Sequence, residues 1–459
     1  AGDTKAYAFT AGRDIMEGNA RVRKTSPLRY AIGMFGTSIP INMFKTYAAI
    51  YYVDRLGLSM ADYSLVLFIY TFVDAIDNPV YGYLSDRTRT RWGRRRPWLV
   101  IGSILLGISF VAFYWPPAVF TGNLLFIYFL ITYILTGTLD SLVNANYAAL
   151  FPDLFSGDAL RAKTNAFRQA FQLVAMIISV ALTPMVTSKL DYPLTALIYA
   201  FLGISAILFC TFGCHENPEY EQSEKPMFRS TISALLRNKK FWIFGLANAF
   251  YSATFSLILS AVPFYVKYAL GLPEGQNTFL LAAVLLVAIA AVFLWAKMVR
   301  KFTLMPVWRM ALLILGISLI PLYFANSLPS AVLSSVLVGL GFSGVISTMD
   351  LIGARIIDED SGKYHLHREG FYSSAMGFMS RLSGLFTSFA FYCVHAFYQF
   401  ESGDAPGPNP GAAAKFLLVI FPFILMMISF LFSIFLKFPD KTADSSGAES
   451  PAPDNRKGM

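Results

Sequence analysis

Two carboxylates and an amide lie close together within one apolar stretch of the chain. Asp74, Asp77 and Asn78 are three and four residues apart, so a helix projects all three from one side. Such hard oxygen ligands suit a small cation such as Na+, and a buried carboxyl beside a second acid also suits a proton. The pattern predicts a cation-binding site, to which Ser141 on a later stretch adds a hydroxyl oxygen.

The composition indicates which kind of element must hold these residues. Of the 459 residues, 56% are hydrophobic and only 14% are charged, whereas soluble domains carry about 25% charged residues. This excludes an ordinary soluble enzyme. The formal net charge of +9 would allow a nucleic-acid partner, but its most prominent basic cluster, 86–96, lies between two apolar stretches. An orienting role in a membrane explains that cluster better.

Twelve stretches are long and apolar enough to cross a bilayer, which takes about 20 residues per helix. We therefore predict an all-α membrane protein with twelve transmembrane helices. The predicted spans are Tyr30–Tyr52, Asp62–Leu84, Trp98–Trp115, Leu124–Phe151, Ala162–Thr187, Leu194–Cys214, Phe241–Tyr268, Thr278–Lys301, Met305–Asn326, Ala331–Ile356, Phe371–Phe400 and Ala413–Phe438.

Charge and polarity along the chain predict its topology and its domains. Basic residues concentrate in the loops on one side, so both termini are expected in the cytoplasm. The longest polar interruption, the linker 215–240, separates a bundle over 28–214 from a second over 241–438. A cytoplasmic segment, 1–27, comes before them, and a tail over 439–459 is polar enough to be disordered.

A weak internal repeat supports this division into halves. The exit from span 1, 51–58, is similar to the exit from span 7, 264–272, and both end in Leu-Gly-Leu. Two repeated halves of six helices are typical of secondary transporters, whose site lies between the halves near mid-membrane. We therefore expect two pseudo-symmetric six-helix bundles.

Positive residues within the spans allow two interpretations. Lys45, Arg168 and Arg381 can pair with the acids and simply hold helices together. A surplus of positive charge in a cavity can instead capture an anion, Arg through its two-pronged guanidinium and Lys as a point charge. Because a charge in a span costs at least about 2.5 kcal/mol on insertion scales, each is a candidate for a functional site.

Two sequence motifs resemble those of a known family. The run Gly82-Tyr83-Leu84-Ser85-Asp86-Arg87 resembles the loop signature of the major facilitator superfamily. The runs 74–79, 92–98 and 350–370 are similar to the glycoside–pentoside–hexuronide cation symporters, the melibiose permease group. The resemblance implies the major facilitator fold and cation-coupled symport by alternating access. It also implies a gating latch, to which we assign Gly82, Asp86, Arg87, Asp350 and Glu369.

The resemblance carries over incompletely to the cation site. Asp74 falls at the first cation carboxylate of the melibiose group, but that group has Asn and then Asp before the proline, where this chain has Asp77 and then Asn78. One carboxylate is thus moved by about 100° around the helix. Because Na+ needs several converging oxygens and a proton needs one carboxyl, this change favours H+ over Na+ as the coupling ion.

The sugar site departs further from the family pattern. The two sugar-binding acids of melibiose permease fall on Ser38 and Asn144, and its stacking tryptophan falls on Ala148, while its arginine is kept as Arg168. Lys45 lies two helical turns beyond Ser38 on the same face. The more positive pocket predicts an anionic substrate, such as a uronide, a glucuronide or a sulfonated sugar. We assign to the substrate site Ser38, Lys45, Asp140, Asn144, Tyr147, Arg168, Gln172 and Arg381.

Other functions remain open at this stage. The same fold also carries lysolipids or other amphiphiles, and a non-transporting sensor is a further alternative. An enzyme is disfavoured, because the four histidines are scattered and no HExxH or GxSxG motif occurs. We expect no cofactor besides H+ or Na+. The expected partners are a small solute, the cation and membrane lipids, without nucleic acid, for a monomer in a bacterial inner membrane.

Overall fold

The computed structural model describes residues 25–155, 158–215, 237–364 and 369–438. Three predicted segments therefore lie partly or wholly outside the described residues: 1–24 of the N-terminal segment, 216–236 of the linker and the whole tail 439–459. The described residues form helices and turns, without a strand.

The helices group into twelve passes within this part of the chain. Those of the first half are α1 (Pro27–Ala49, continued by the π-helical Ile50–Arg55), α2 (Met60–Arg87), α3 (Arg96–Phe113), α4 (Asn123–Leu154), α5 (Asp158–Met176, continued by the π-helical Ile177–Ala181) and α6 (Thr183–Gly213). Those of the second half are α7 (Lys239–Phe264, continued by Tyr265–Ala269), α8 (Asn277–Phe302), α9 (Leu304–Ser318 and Ile320–Phe324), α10 (Leu328–Tyr364), α11 (Glu369–Arg381 and Ser383–Tyr398) and α12 (Pro410–Lys415, Phe416–Ile420 and Phe421–Phe435).

The boundary between the fifth and sixth passes is a kink rather than a loop. Asp191, within α6, has φ 64° and ψ 169°, a conformation that breaks the helix. The turns before Asp191 therefore continue α5, and those after it form the sixth pass. The twelve predicted spans are confirmed.

Eight of the helices are long and apolar enough to cross a membrane by length and composition alone. The remaining four are α1, α2, α5 and α11. They contain Lys45, Asp74 and Asp77, Arg168, and Arg381, and α11 is interrupted at Leu382. Each of the four helices that fall short of this measure thus carries charge into the bundle, as expected for helices lining a polar cavity.

The two halves repeat the same packing. In the first half α1 packs on α5 and α6, α2 on α4, and α3 on α4 and α6. In the second half α7 packs on α11 and α12, α8 on α10, and α9 on α10 and α12. Each pair in one half has its counterpart six helices later, so the predicted pair of pseudo-symmetric six-helix bundles is confirmed.

Arginine capping follows the same symmetry. Arg96, at the start of α3, donates from Nε to the carbonyl of Thr211 near the end of α6, at 3.0 Å. Arg309, in α9, donates to the carbonyls of Ser433 and Leu436 at the end of α12, at 3.2 and 2.9 Å. Each arginine supplies further donors to carbonyls at the end of a helix, where the regular amide partners of the next turn are missing.

The sequence repeat corresponds to a repeated turn. The backbone N–H groups of Leu56 and Leu270 donate to the carbonyls of Tyr51 and Tyr265, each at 3.1 Å. The glycine that follows has φ of 74° at 57 and 67° at 271, a region that glycine enters without strain. We call the end of the bundles that holds these turns and residues 399–410 the outer end.

The first helix approaches the sixth through small residues. A Cβ placed on Gly36 would overlap with the side chain of Ile207 and the backbone oxygen of Gly203. Such glycines let membrane helices come into close contact.

We predict that Gly36→Ala destabilises the protein by about 1–3 kcal/mol, because the added methyl group forces α1 and α6 apart. The measurement is thermal unfolding in detergent. Gly377→Ala is the control, since a Cβ at Gly377 in α11 meets no atom within 4 Å. Equal melting temperatures for the two variants would contradict the packing argument.

Candidate functional site

The two carboxylates of α2 receive hydroxyl groups from α4. Ser141 Oγ donates to Asp74 Oδ1 at 3.1 Å, and Thr138 Oγ1 donates to Asp77 Oδ2 at 2.9 Å. Tyr70, one turn before Asp74, lies with its hydroxyl 3.4 Å from the same Oδ1. Each carboxylate of α2 therefore has a hydroxyl of α4 beside it, and such oxygens are the ligands that a small cation takes.

Sequence reasoning named Ser141 for this cluster and missed Thr138. The signal was present, because Thr138 precedes Ser141 by three residues and so lies on the same face of α4. The side chain of Asn78, the third predicted oxygen ligand of α2, lies outside the described residues.

An arginine of the second half pairs with the Asp74 carboxylate. Arg381 Nη1 lies 3.2 Å from Asp74 Oδ1 and also donates to the backbone carbonyl of Asp74. Arg381 is the last residue of the first segment of α11, directly before the interruption at Leu382. The residue that the sequence assigned to the substrate is thus paired with the predicted cation ligand, across the interface between the halves.

A second polar cluster joins α1 and α4. Asn144 Nδ2 donates to Asp140 Oδ1 at 2.6 Å, and Asp140 is 8% exposed. The charges of Lys45 and Arg381 both act on this carboxylate. Lys45 is exposed although its neighbours in α1 are buried, and its charge acts on Asp140 from the neighbouring helix.

The Lys45 ammonium makes no ion pair or hydrogen bond with the part of the chain that the structure describes. Arg381, by contrast, is held on Asp74. Lys45 is therefore the positive group of this region that remains available to a ligand.

Arg168 lies in a different environment, over aromatic rings. Its guanidinium carbon is 5.0 to 5.9 Å from the ring centres of Phe151, Tyr147 and Tyr30, within the range of a cation–π contact. The Arg168 Nε is buried without a hydrogen-bond partner among the described residues. Lys45 lies fifteen residues beyond Tyr30, which is about 22 Å along a helix, so the structure does not bring Arg168 and Lys45 together.

Tyr147 is held by a reciprocal pair of hydrogen bonds. Its hydroxyl donates to the carbonyl of Tyr30 at 2.9 Å, and the Tyr30 hydroxyl donates to the carbonyl of Tyr147 at 2.6 Å. The rings stack at 4.6 Å, and Tyr147 is 2% exposed. Tyr147, which the sequence assigned to the substrate, thus ties α1 to α4. Ser38 is buried in α1, and Gln172 is half-buried one turn beyond Arg168.

The predicted gating residues are described only in part. Arg87 is exposed at the end of α2, and Asp350 is exposed in α10. The side chains of three others lie outside the described residues: Gly82, Asp86 and Glu369. The latch assigned to them stays a prediction.

Helices α2 and α11 are in contact from the outer end to the middle of the bundle. Ser388 Oγ donates to the carbonyl of Ser64 at 2.6 Å. One to two turns deeper, Gly384 lies so close to Thr71 that a Cβ there would overlap with the threonine hydroxyl. The Asp74–Arg381 pair follows. The outer ends of the halves are therefore closed against each other, and the predicted cation ligand lies at the deep end of this closure.

Comparisons with known proteins agree with this architecture. The chain is 32% identical over 223 residues to a Synechocystis protein named "Uncharacterized symporter sll1374", covering 46% of this chain and 41% of that protein. It is 23% identical over 251 residues to a "Putative sulfoquinovose importer" of Salmonella typhimurium, covering 52% of this chain and 53% of that protein. These two matches thus span about half of each relative or less.

The fold is also found in solved structures. The crystal structure of the nucleoside transporter NupG matches with a TM-score of 0.66 at 12% identity, covering 90% of this chain and 99% of that one. At that identity the likeness concerns the fold. A family model described as MFS/sugar transport protein matches residues 29–440, and the chain belongs to this family of major facilitator membrane transporters.

Proposed function

We propose that the protein couples the transport of a small polar solute to the movement of a cation through the Asp74 site. One observation carries this proposal: Asp74 is contacted by Ser141 from its own half and by Arg381 from the other half. A cation that binds Asp74 competes with Arg381. Ion binding and the contact between the halves are therefore alternatives at one carboxylate.

The charge balance of the site supports a monovalent ion. Asp74 and Asp77 together carry two negative charges, and Arg381 supplies one positive charge. One further positive charge neutralises the cluster, and burial makes that neutralisation favourable. We propose H+ as the coupling ion, with Na+ as the alternative, because one displaced carboxylate suits a proton better than a coordination shell.

Coupling then follows from differential binding. An ion at Asp74 weakens the deepest contact between α2 and α11, and a ligand changes a conformational equilibrium only through such a difference between states. Ion and solute together change this equilibrium more than either does alone. No covalent chemistry is needed, and we propose that the protein is not an enzyme and needs no cofactor.

For the solute we propose an anionic sugar, such as a uronide or a sulfonated sugar. The support is the Lys45 ammonium, whose charge acts on the buried Asp140 carboxylate and which has no ion-pair partner among the described residues. The printed name of one relative, a putative sulfoquinovose importer, is consistent with such a substrate. Asn144, already bonded to Asp140, adds an amide at the same level for hydroxyl groups of the solute.

We also propose a monomer in a bacterial inner membrane, with bundles over 28–214 and 241–438. Twelve passes return the chain to the side on which it entered, so the two ends of the described chain, residues 25 and 438, lie on the same face. The basic loops support the cytoplasm as that side.

We predict that Asp74→Asn abolishes concentrative uptake while exchange is partly retained, because the solute site survives without its coupling ion. Uptake and counterflow are measured in proteoliposomes with D-glucuronate or D-glucose, whichever the unmodified protein takes up faster. Asp62→Asn, at the outer start of the same helix, is the matched control. Equal loss of uptake and exchange would count against a coupling role for Asp74.

We predict that Lys45→Gln raises the KM for D-glucuronate about tenfold, which corresponds to about 1.4 kcal/mol of lost binding, and leaves neutral sugars unaffected. Lys189→Gln, a lysine exposed near the outer turn at Asp191, serves as the control. Strong uptake of neutral glycosides with none of acidic ones would refute the anionic substrate but not the transport function.

A further inference from the structure

A carboxylate outside the candidate site joins the two halves at the outer end. Asp54, in the last turn of α1, accepts hydrogen bonds from Lys267 Nζ and from the Tyr268 hydroxyl, both at the end of α7. The Asp54 side chain is 0% exposed. A charge so buried is stable only while its partners stay in place.

The position of this contact follows from the internal symmetry. Because the amides of Leu56 and Leu270 make the same backbone bond in the two repeated turns, Asp54 and Tyr268 occupy equivalent positions, two residues before these leucines. Equivalent positions that touch lie beside the axis that relates the halves. A contact at this place must break or change whenever the outer ends separate.

The connection between α11 and α12 covers the pair. The amide of Gly403 donates to the carbonyl of Val53 at 2.9 Å, and a Cβ on Gly403 would overlap with the backbone of Asp54. The amide of Met60 donates to the carbonyl of Glu401 at 2.6 Å. The loop therefore excludes water from Asp54, and electrostatic attraction is stronger in such a setting.

A second set of ion pairs surrounds the first but is wetter. Arg55 pairs with Asp191 at 2.9 Å and with Glu274 at 2.8 Å, and its guanidinium stacks over Tyr192 at 4.7 Å. The side chains of Arg55 and Asp191 are 33% and 66% exposed, so solvent and salt screen their attraction. Of the two sets, the contact made by Asp54 has the drier acid, since the Asp54 side chain is 0% exposed although that of Lys267 is 38% exposed.

We propose that Asp54 is the residue that holds the outer end of the transporter closed, through Lys267 and Tyr268. It is a positioning residue, which acts on the angle between the halves and touches neither solute nor ion. The proposal does not depend on which solute is carried. Its failure would not contradict the proposed function, and failure of the proposed function would not contradict a role of Asp54 in closure.

The test is the accessibility of a thiol beneath the closure. Ser388→Cys is introduced into a chain whose Cys210, Cys214 and Cys393 are replaced by Ser, and its reaction with a maleimide is followed in lipid nanodiscs. Ser388 is 5% exposed at the α2–α11 interface, so we expect slow labelling. Adding Asp54→Asn should accelerate it roughly tenfold or more, because the closed state loses its buried contact.

Matched variants separate a gate from general stabilisation. Glu401→Gln removes an exposed acid of the covering loop and should leave the rate unchanged. Ser109→Cys, 4% exposed within α3, reports loosening of the first bundle and should stay unreactive when Asp54 is changed. Acceleration at both thiols would mean that Asp54 only stabilises the fold, and an unchanged rate at Ser388→Cys would overturn the proposal.

A second variant tests the proposal if Asp54→Asn does not fold. Tyr268→Phe removes one hydroxyl from the same carboxylate and leaves the Lys267 pair in place. We expect a smaller acceleration at Ser388→Cys from this variant. Labelling at the unmodified rate in a folded Tyr268→Phe protein would overturn the proposal by itself.

Discussion

The arrangement of the two halves depends on the contact between Asp74 and Arg381. A charge within the apolar part of a bundle must be neutralised, and here the neutralising group comes from the other half of the molecule. The contact therefore satisfies two requirements at once, since it compensates a carboxylate and holds α2 against α11. A ligand that neutralises Asp74 in place of Arg381 therefore weakens the contact between α2 and α11. A mobile interface placed at a charged pair thereby links ion binding to the arrangement of the halves.

Much of the fold could be predicted from the sequence. Span length follows from bilayer thickness and from the need to satisfy the backbone, and neither depends on tertiary contacts. The repeat at 51–58 and 264–272 was also readable, because the Leu-Gly-Leu turn needs glycine at positive φ in both copies. Ser141 was assigned to the cation site as a hydroxyl oxygen within an apolar span, and its hydroxyl lies on Asp74.

The partners of the long cations could not be predicted in the same way. Helical periodicity shows which residues share a face, but it does not show which other helix that face meets. Arg168, Lys45 and Arg381 appeared equivalent as positive residues in apolar spans. The structure places Arg168 over an aromatic cluster, Lys45 at an exposed position whose charge acts on Asp140, and Arg381 on the Asp74 carboxylate. Nothing in the sequence distinguished Asp54 as a functional residue, because it lies at the end of a helix, where charged residues are common.

Two of the ion pairs that join the halves share one polarity, whereas the Arg55–Glu274 pair at the outer end has the opposite one. Asp54 and Asp74 belong to the first half, and their partners Lys267 and Arg381 belong to the second. A cation from solution can replace Lys267 or Arg381 at these acids. An anion would instead have to replace the acids at Lys267 or Arg381. The proposed cation ligands on α2 and α4 all lie in the first half. An ion bound there therefore releases Arg381 and remains attached to the first half. At Asp54 and Asp74 this arrangement favours control of the contact between the halves by a cation rather than by an anion.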